Sequence, residues 1–255
     1  MNISKFLLLA FLLLSFINKG NAQNKPHPET LSFLKDFNSY WYYYNENTNL
    51  SIEFIPLDES KKKINKLIFL KKLSSGKYVP IRLLVNDTLC YQLYKINPKT
   101  NDSIKGVIKQ MAEIEIRHLA YEGKKIPNFN FTDLDGKKYN YKNTQGKVIV
   151  MKFWFIHCQT CIQEMPQLNE LVKKYSNRKD IIFLSLAYDD AKKLKNFLLK
   201  TTFKYAVAPV SEKYVFETLG ISEFPTHIIL NKKGRVVKVL TSAKLLPDVL
   251  SKAVN

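Results

Sequence analysis

Cysteine is scarce in this chain: Cys90, Cys158 and Cys161 are the only three in 255 residues. A secreted scaffold stapled by disulfides carries more of them, in even number, so that class is excluded. A second close pair of ligands is missing as well, which leaves the Cys-x-x-Cys at 158–161 without the other half of a structural zinc site. No histidine follows the second cysteine, where Ile162 stands, so covalent haem attachment is excluded. Long apolar runs are missing apart from residues 6–17, and that run is too short for an ordinary membrane span. Acids are outnumbered, 22 against 40 Lys and Arg, for a net charge of +18 and a pI near 9.6. The basic residues are nevertheless dispersed, with no dense block interleaved with aromatics, so no nucleic-acid partner is expected. Solvated lysine faces account for the charge, with a weak preference for acidic partners or anionic membranes.

The rest is ordinary for a globular protein, with 45% apolar residues and length for one large domain or two smaller ones. Lys5, the apolar run 6–17 and the small residues Gly20-Asn21-Ala22 read as a secretory signal cleaved after Ala22. Residues 1–22 are therefore set aside as a signal peptide, and a membrane attachment is expected only if that signal stays uncleaved. Residues 23–122 read as a small α+β domain. Leu31, Phe33, Leu34 and Phe37 share a helical face, and the aromatic run Tyr40 to Tyr44 is expected to pack a core. A strand over 50–57 stops at Pro56, and a helix over 60–73 carries the stripe Ile64, Leu67, Ile68 and Leu73. A hairpin over 79–96 turns at Asn86-Asp87, placing Cys90 as a buried strand thiol. An amphipathic helix over 101–121 follows, with His118 on its apolar stripe as a packed residue. No catalytic constellation is visible in this part, and its role is not legible.

The boundary falls at 123–127, and residues 123–255 read as the second domain. A hairpin over 129–141 centres on Asp135-Gly136. Strands over 148–156, 181–187 and 203–208 alternate with helices over 160–175, 190–200 and 211–219. A hairpin over 226–240 and a last helix over 243–254 close the chain. Strands alternating with helices point to an α/β sheet covered on both faces.

Cys158-Gln159-Thr160-Cys161 lies where the apolar strand gives way to an amphipathic helix. At a helix start the dipole and free N–H groups favour thiolate over thiol, which suits a redox dithiol. His157 and His227 keep open a second reading, a copper- or zinc-binding chaperone using the same sulfurs.

The motifs around the pair are more specific than the pair itself. Lys147-Val148-Ile149-Val150-Met151-Lys152-Phe153-Trp154 resembles the "GKVVLVNFW" strand of the TlpA/ResA-like thiol–disulfide oxidoreductases of bacterial envelopes. Cys158 to Pro166 is similar to their "CxxCxxExP" helix, and Phe224-Pro225-Thr226 with Lys232-Lys233-Gly234 to their "YPTTFLID-KxG" segment. The resemblance runs from Ile126 to the C-terminus and implies a thioredoxin-like fold, a central mixed sheet flanked by helices, with no cofactor and no metal. It implies that Cys158 attacks a substrate disulfide and that Cys161, more buried, resolves the mixed disulfide. Glu164 matches the acid that shuttles the Cys161 proton. Pro225 is implied to be cis and to face the dithiol, with Phe224 and Thr226 as the substrate-binding segment.

Three departures bear on redox poise. Gln159-Thr160 replaces the proline-containing dipeptides common between the cysteines, and His157 stands where many members have tryptophan. Lys152, six residues before Cys158, is expected to pair with Glu164 beneath Cys161 and lower its proton affinity. The expected function is that of an exported, periplasmic enzyme that reduces disulfides of envelope proteins, fed by a membrane or periplasmic electron donor. A thiol peroxidase is the rival enzyme, although Phe155-Ile156-His157-Cys158 lacks the proline such a site usually carries. A binding protein whose main work lies in residues 24–122 is the non-enzymatic rival.

Overall fold

The computed structural model describes residues 28–254, beginning with a 3-10 turn, Pro28–Leu34. The signal-peptide expectation lies outside the described residues. Helix α1 (Phe37–Asn47) is capped by Asp36, whose carboxylate accepts the Ser39 N–H at 2.8 Å. Tyr40 is buried in this helix, whereas Tyr42 is 73% exposed, so the aromatic run packs by one face only.

Strand β1 (Ile55–Leu57), helix α2 (Lys66–Ser74), strands β2 (Tyr78–Val85) and β3 (Thr88–Lys95), and helix α3 (Asp102–Tyr121) complete the first unit. Its sheet has the order β1-β3-β2. Asn86 and Asp87 both take positive φ, 48° and 58°, the backbone of a two-residue hairpin turn. Cys90 is a buried free thiol in β3, as expected.

Two expectations fail here. The strand read over 50–57 shrinks to three residues with Pro56 inside it, tolerated because β1 is an edge strand and has no second ladder to feed. The helix read from residue 60 starts at Lys66, after the Asn65 cap, and turns its Phe69, Leu70 and Leu73 inward. Ile68 is 51% exposed: Ile64 precedes the cap, so a stripe counted from it does not follow the face that α2 buries.

The second unit begins with a small hairpin of β4 (Asn130–Thr132) and β5 (Lys138–Asn140). Then come β6 (Val148–Trp154), α4 (Gln159–Gln163), α5 (Met165–Lys174), β7 (Ile181–Ala187), α6 (Ala191–Leu198) and β8 (Ala206–Pro209). A π-helical turn, Tyr214–Thr218, leads to β9 (Thr226–Leu230), β10 (Val236–Leu240) and α7 (Leu246–Val254). The sheet order is β10-β9-β6-β7-β8. Strands β6, β7 and β8 are parallel, and β9 is antiparallel to both β6 and β10. This is the thioredoxin-like arrangement.

Every residue of central β6 is buried, so its alternation sorts two cores rather than core from solvent. Ile149, Met151 and Phe153 pack with Phe131, Val215 and Ile228 on one face. Val148 and Val150 pack with Leu168, Leu246 and Leu250 on the other, and Trp154 joins Cys158, Cys161 and Met165. Lys152 belongs to this second face. Among the described residues no helix is long and apolar enough to cross a membrane.

Candidate active site

Strand β6 delivers its chain end to the site and α4 picks it up. The turn between them is fixed by two hydrogen bonds: the Ile156 N–H donates to Asp189 Oδ2 at 2.9 Å, and the Cys158 N–H to the Phe155 carbonyl at 3.1 Å. Cys158 is the N-cap of α4, where its sulfur accepts the Cys161 N–H at 3.2 Å. A sulfur in that position gains most from carrying negative charge. The two cysteines form a disulfide with Cα atoms 5.2 Å apart. Cys161 is sealed off, whereas Cys158 keeps 7% of its surface exposed. His157 stands on the open rim beside it.

Glu164 marks the break between α4 and α5. Pro166, in the first turn of α5, has no N–H to continue the ladder, so the helix restarts there. The Glu164 side chain turns inward, three residues past Cys161 and on its side of the helix. Its Oε2 lies 2.9 Å from Lys152 Nζ and 3.0 Å from His227 Nε2, and its Oε1 accepts the Ala243 N–H at 2.7 Å. Lys152 and His227 are both fully buried and stand opposite each other in the β6–β9 register. Ser185 stands opposite Lys152 on the β7 side. A polar row thus crosses the sheet beneath the helix carrying the cysteines.

The electrostatics follow from that row. Burial alone would raise the Glu164 carboxyl, but the His227 hydrogen bond, the Lys152 charge and the Ala243 N–H outweigh it and hold it well below the usual carboxylate range. Burial pushes His227 down, which keeps the imidazole neutral. Its Nδ1 has no partner among the described residues, so the single proton sits on Nε2 and is donated to Glu164. Burial also pushes Lys152 down, against the pull of Glu164. With a carboxylate in contact, the ammonium form is the one the geometry supports.

The Phe224–Pro225 peptide is cis, and Phe224 packs against the cluster that contains both cysteines. Phe155, Tyr188, Phe216 and Phe224 form an aromatic wall there, with ring centroids 5.1–6.1 Å apart in successive pairs. Thr226, expected at the substrate surface, is 1% exposed and donates its hydroxyl to the Glu223 carbonyl at 2.6 Å. Its side chain therefore holds the loop and does not reach a substrate.

The structure brings Cys158, Cys161, Glu164 and Lys152 together with the cis-proline loop. It adds His227, whose direction the sequence left open because it depends on the register of β9 against β6. His227 is committed to Glu164, and no group of three potential metal ligands exists among the described residues, so no observation supports the metal-delivery reading.

The Redoxin family profile matches residues 121–249. The chain is 37% identical over 117 residues to the thiol–disulfide oxidoreductase ResA of Bacillus thuringiensis (strain Al Hakam), covering 46% of this chain and 67% of that protein. It is 27% identical over 120 residues to ResA of Bacillus subtilis (strain 168), covering 47% and 67%. A putative thioredoxin from Neisseria meningitidis aligns in three dimensions with 27% identity and a TM-score of 0.46, over 52% of this chain and 91% of that one. The motifs that suggested the family and the profile that spans them coincide: the chain belongs to the Redoxin family, among its ResA-like thiol–disulfide oxidoreductases.

Proposed function

We propose that this protein is an exported reductase of disulfides in envelope proteins, working through Cys158 and Cys161. The observation that carries the reading is the placement of the Cys158 sulfur on the Cys161 N–H at a helix start, with Cys161 sealed behind it. In the reduced form the Cys158 thiolate attacks one sulfur of a substrate disulfide. The substrate S–S bond breaks, a Cys158–substrate bond forms, and a substrate thiolate leaves and takes up a proton. Cys161 then loses its proton and attacks Cys158 Sγ, which releases the second substrate thiol and leaves the enzyme disulfide. Two electrons pass from the dithiol to the substrate, and an upstream donor must return them.

In this reading Glu164, three residues past Cys161, takes the Cys161 proton. Its donors keep it ionised, so it gives that proton up again between turnovers. Lys152 and His227 hold its charge and direction, and His157 on the rim favours the Cys158 thiolate when protonated. Pro225 removes a backbone donor beside the sulfurs, leaving Phe224 to pair with an extended substrate segment. The pattern of Lys5, residues 6–17 and Gly20-Asn21-Ala22 supports export to the periplasm.

Trapping tests the reading. With Cys161→Ala expressed in the native host, mixed disulfides with Cys158 are expected to accumulate on envelope proteins, and none in Cys158→Ala/Cys161→Ala. A folded, reduced Cys161→Ala protein that captures nothing, or captures only cytoplasmic proteins, would refute it.

A further inference from the structure

The cis-proline loop is poorly secured by its own backbone. The Leu219 N–H donates to the Tyr214 carbonyl and the Ile221 N–H to the Val215 carbonyl, both at 3.0 Å. From Ser222 to Pro225, however, no backbone–backbone hydrogen bond exists among the described residues, and the ladder resumes only at Thr226. Glu223 spans that gap through side chains. Its carbonyl takes the Thr226 hydroxyl, and its carboxylate takes the Ser222 hydroxyl at 2.7 Å.

The third tie comes from the other unit. Arg117, on α3, forms an ion pair with Glu223. One turn further along, Tyr121 donates its hydroxyl to the Leu219 carbonyl at 2.7 Å. The end of α3 is itself fixed to the sheet edge. The Gly123 N–H donates to the Val236 carbonyl, and the Val236 N–H to the Lys124 carbonyl, both at 2.8 Å. Lys238 on β10 reaches Glu122 at 2.7 Å. The helix is thus clamped to β10 at its base and touches the loop with its side.

We propose that the N-terminal unit is a positioning element of the substrate-binding loop, with Arg117 and Tyr121 of α3 holding residues 219–224 so that Phe224 presents its free backbone beside Cys158. Arg117 lies outside the segment that matches the Redoxin profile, whereas Tyr121 is the first residue of that segment, so the Arg117–Glu223 tie is the part of the brace contributed from outside the match. The proposal rests on the dithiol-exchange reading above. It makes Arg117 and Tyr121 positioning residues, with no contact to the reacting sulfurs. A loose loop still allows a small disulfide to reach Cys158, but it weakens strand pairing with an extended segment, because the segment must then order the loop as it binds.

The experiment follows a single turnover of the full chain in its dithiol form, its own two thiols being the reductant, against an excess of either of two substrates, with KM and kcat read as the half-saturating concentration and the limiting rate: insulin, whose disulfides lie in polypeptide, and the small aromatic disulfide 5,5′-dithiobis(2-nitrobenzoate). Arg117→Ala and Glu223→Gln are each expected to raise KM for insulin about three- to fivefold, the scale of one partly exposed ion pair. The kcat on insulin and the rate with the small disulfide are expected to stay within about twofold. Arg117→Lys restores most of the loss, because the cation remains. The Arg117→Ala/Glu223→Gln double variant is no worse than either single one. Tyr121→Phe gives a second reading of the brace without disturbing charge. An insulin KM unchanged in folded Arg117→Ala and Tyr121→Phe overturns the proposal, as does an equal loss on both substrates. If the unaltered protein reduces neither substrate, the exchange reading fails first and the proposal falls with it.

Discussion

Lys152 is a fully buried cation on a strand whose other residues are apolar, and its nearest anion is Glu164. Its partner was legible from spacing, since a strand position six residues before the first cysteine and an acid three residues after the second share one face. His227 was not legible, because the direction of its ring is fixed only by the pairing of Lys152 with His227 across two strands distant in sequence. Thr226 misled for the related reason that a residue beside the proline can serve the loop from inside. Removing the cation by Lys152→Met is expected to raise the apparent pKa of the Cys158 and Cys161 thiols by about half a unit to one unit. The pH dependence of alkylation of the reduced protein measures this, and unmoved thiol titrations would dismiss any role for Lys152 in redox poise. The same cluster sets an acid sensitivity. The Glu164 carboxyl is held at about 2 against an ordinary 4.5. A group depressed in the folded state contributes stability that is complete above its unfolded value and disappears as pH falls towards its folded one. Between pH 5 and pH 2.5 the native protein is therefore expected to lose on the order of 2–3 kcal/mol more than the charge-free Lys152→Met/Glu164→Gln double variant. Denaturant midpoints across that range give the comparison, and parallel curves would show that the carboxylate is not held by its neighbours.

At the scale of elements, legibility tracked the strength of local signals. The hairpin at Asn86-Asp87 and the one at Asp135-Gly136 were placed by turn residues that accept positive φ, and Asn86, Asp87 and Gly136 all have it. Helix α3 was placed by an apolar stripe that runs for about four turns, from Ile104 to His118, and the structure adds the Asn101 cap. The error at α2 came from a tertiary effect: Ile64 bonds its N–H to the Pro56 carbonyl and belongs to the edge of the small sheet, so it could not set the helix phase. The turn joining β9 to β10 carries a sharper constraint. Gly234 has φ of 70°, and a Cβ there would lie 2.8 Å from the ring of Tyr141. That ring is itself fixed, with its hydroxyl donating to the Ile126 carbonyl at 2.9 Å. Gly234→Ala is accordingly expected to cost about 1–3 kcal/mol, combining a left-handed backbone with an overpacked contact. A denaturant midpoint equal to that of the parent protein would mean that turn and ring move aside freely.

For the whole molecule, the sequence pattern divides the chain at residues 123–127, whereas the contacts tie the two parts through one helix. The first half of α3 buries Ile104, Ile108 and Ala112 in the N-terminal core. Its second half reaches the cis-proline loop of the redoxin unit through Arg117 and Tyr121, and Glu122, just past its end, reaches Lys238 on β10. Melting either unit therefore removes a wall of the other, and a helix shared in this way favours cooperative unfolding over two independent steps. The two tryptophans offer a direct test, since Trp41 lies on α1 in the first unit and Trp154 ends β6 beside the cysteines. Trp41 is partly exposed, so Trp41→Phe is expected to shift stability by about 0.5 kcal/mol or less. In that variant fluorescence reports on the redoxin unit alone, while far-ultraviolet circular dichroism is weighted towards helices of both units, the long α3 included. The two signals are expected to share one midpoint and one slope in urea. A Trp154 transition separated from the dichroism transition would mean that the units fold independently, with α3 as a tether between them. It would also weaken the case that Arg117 can hold the cis-proline loop in place, because a brace transmits position only while both of its ends stay folded.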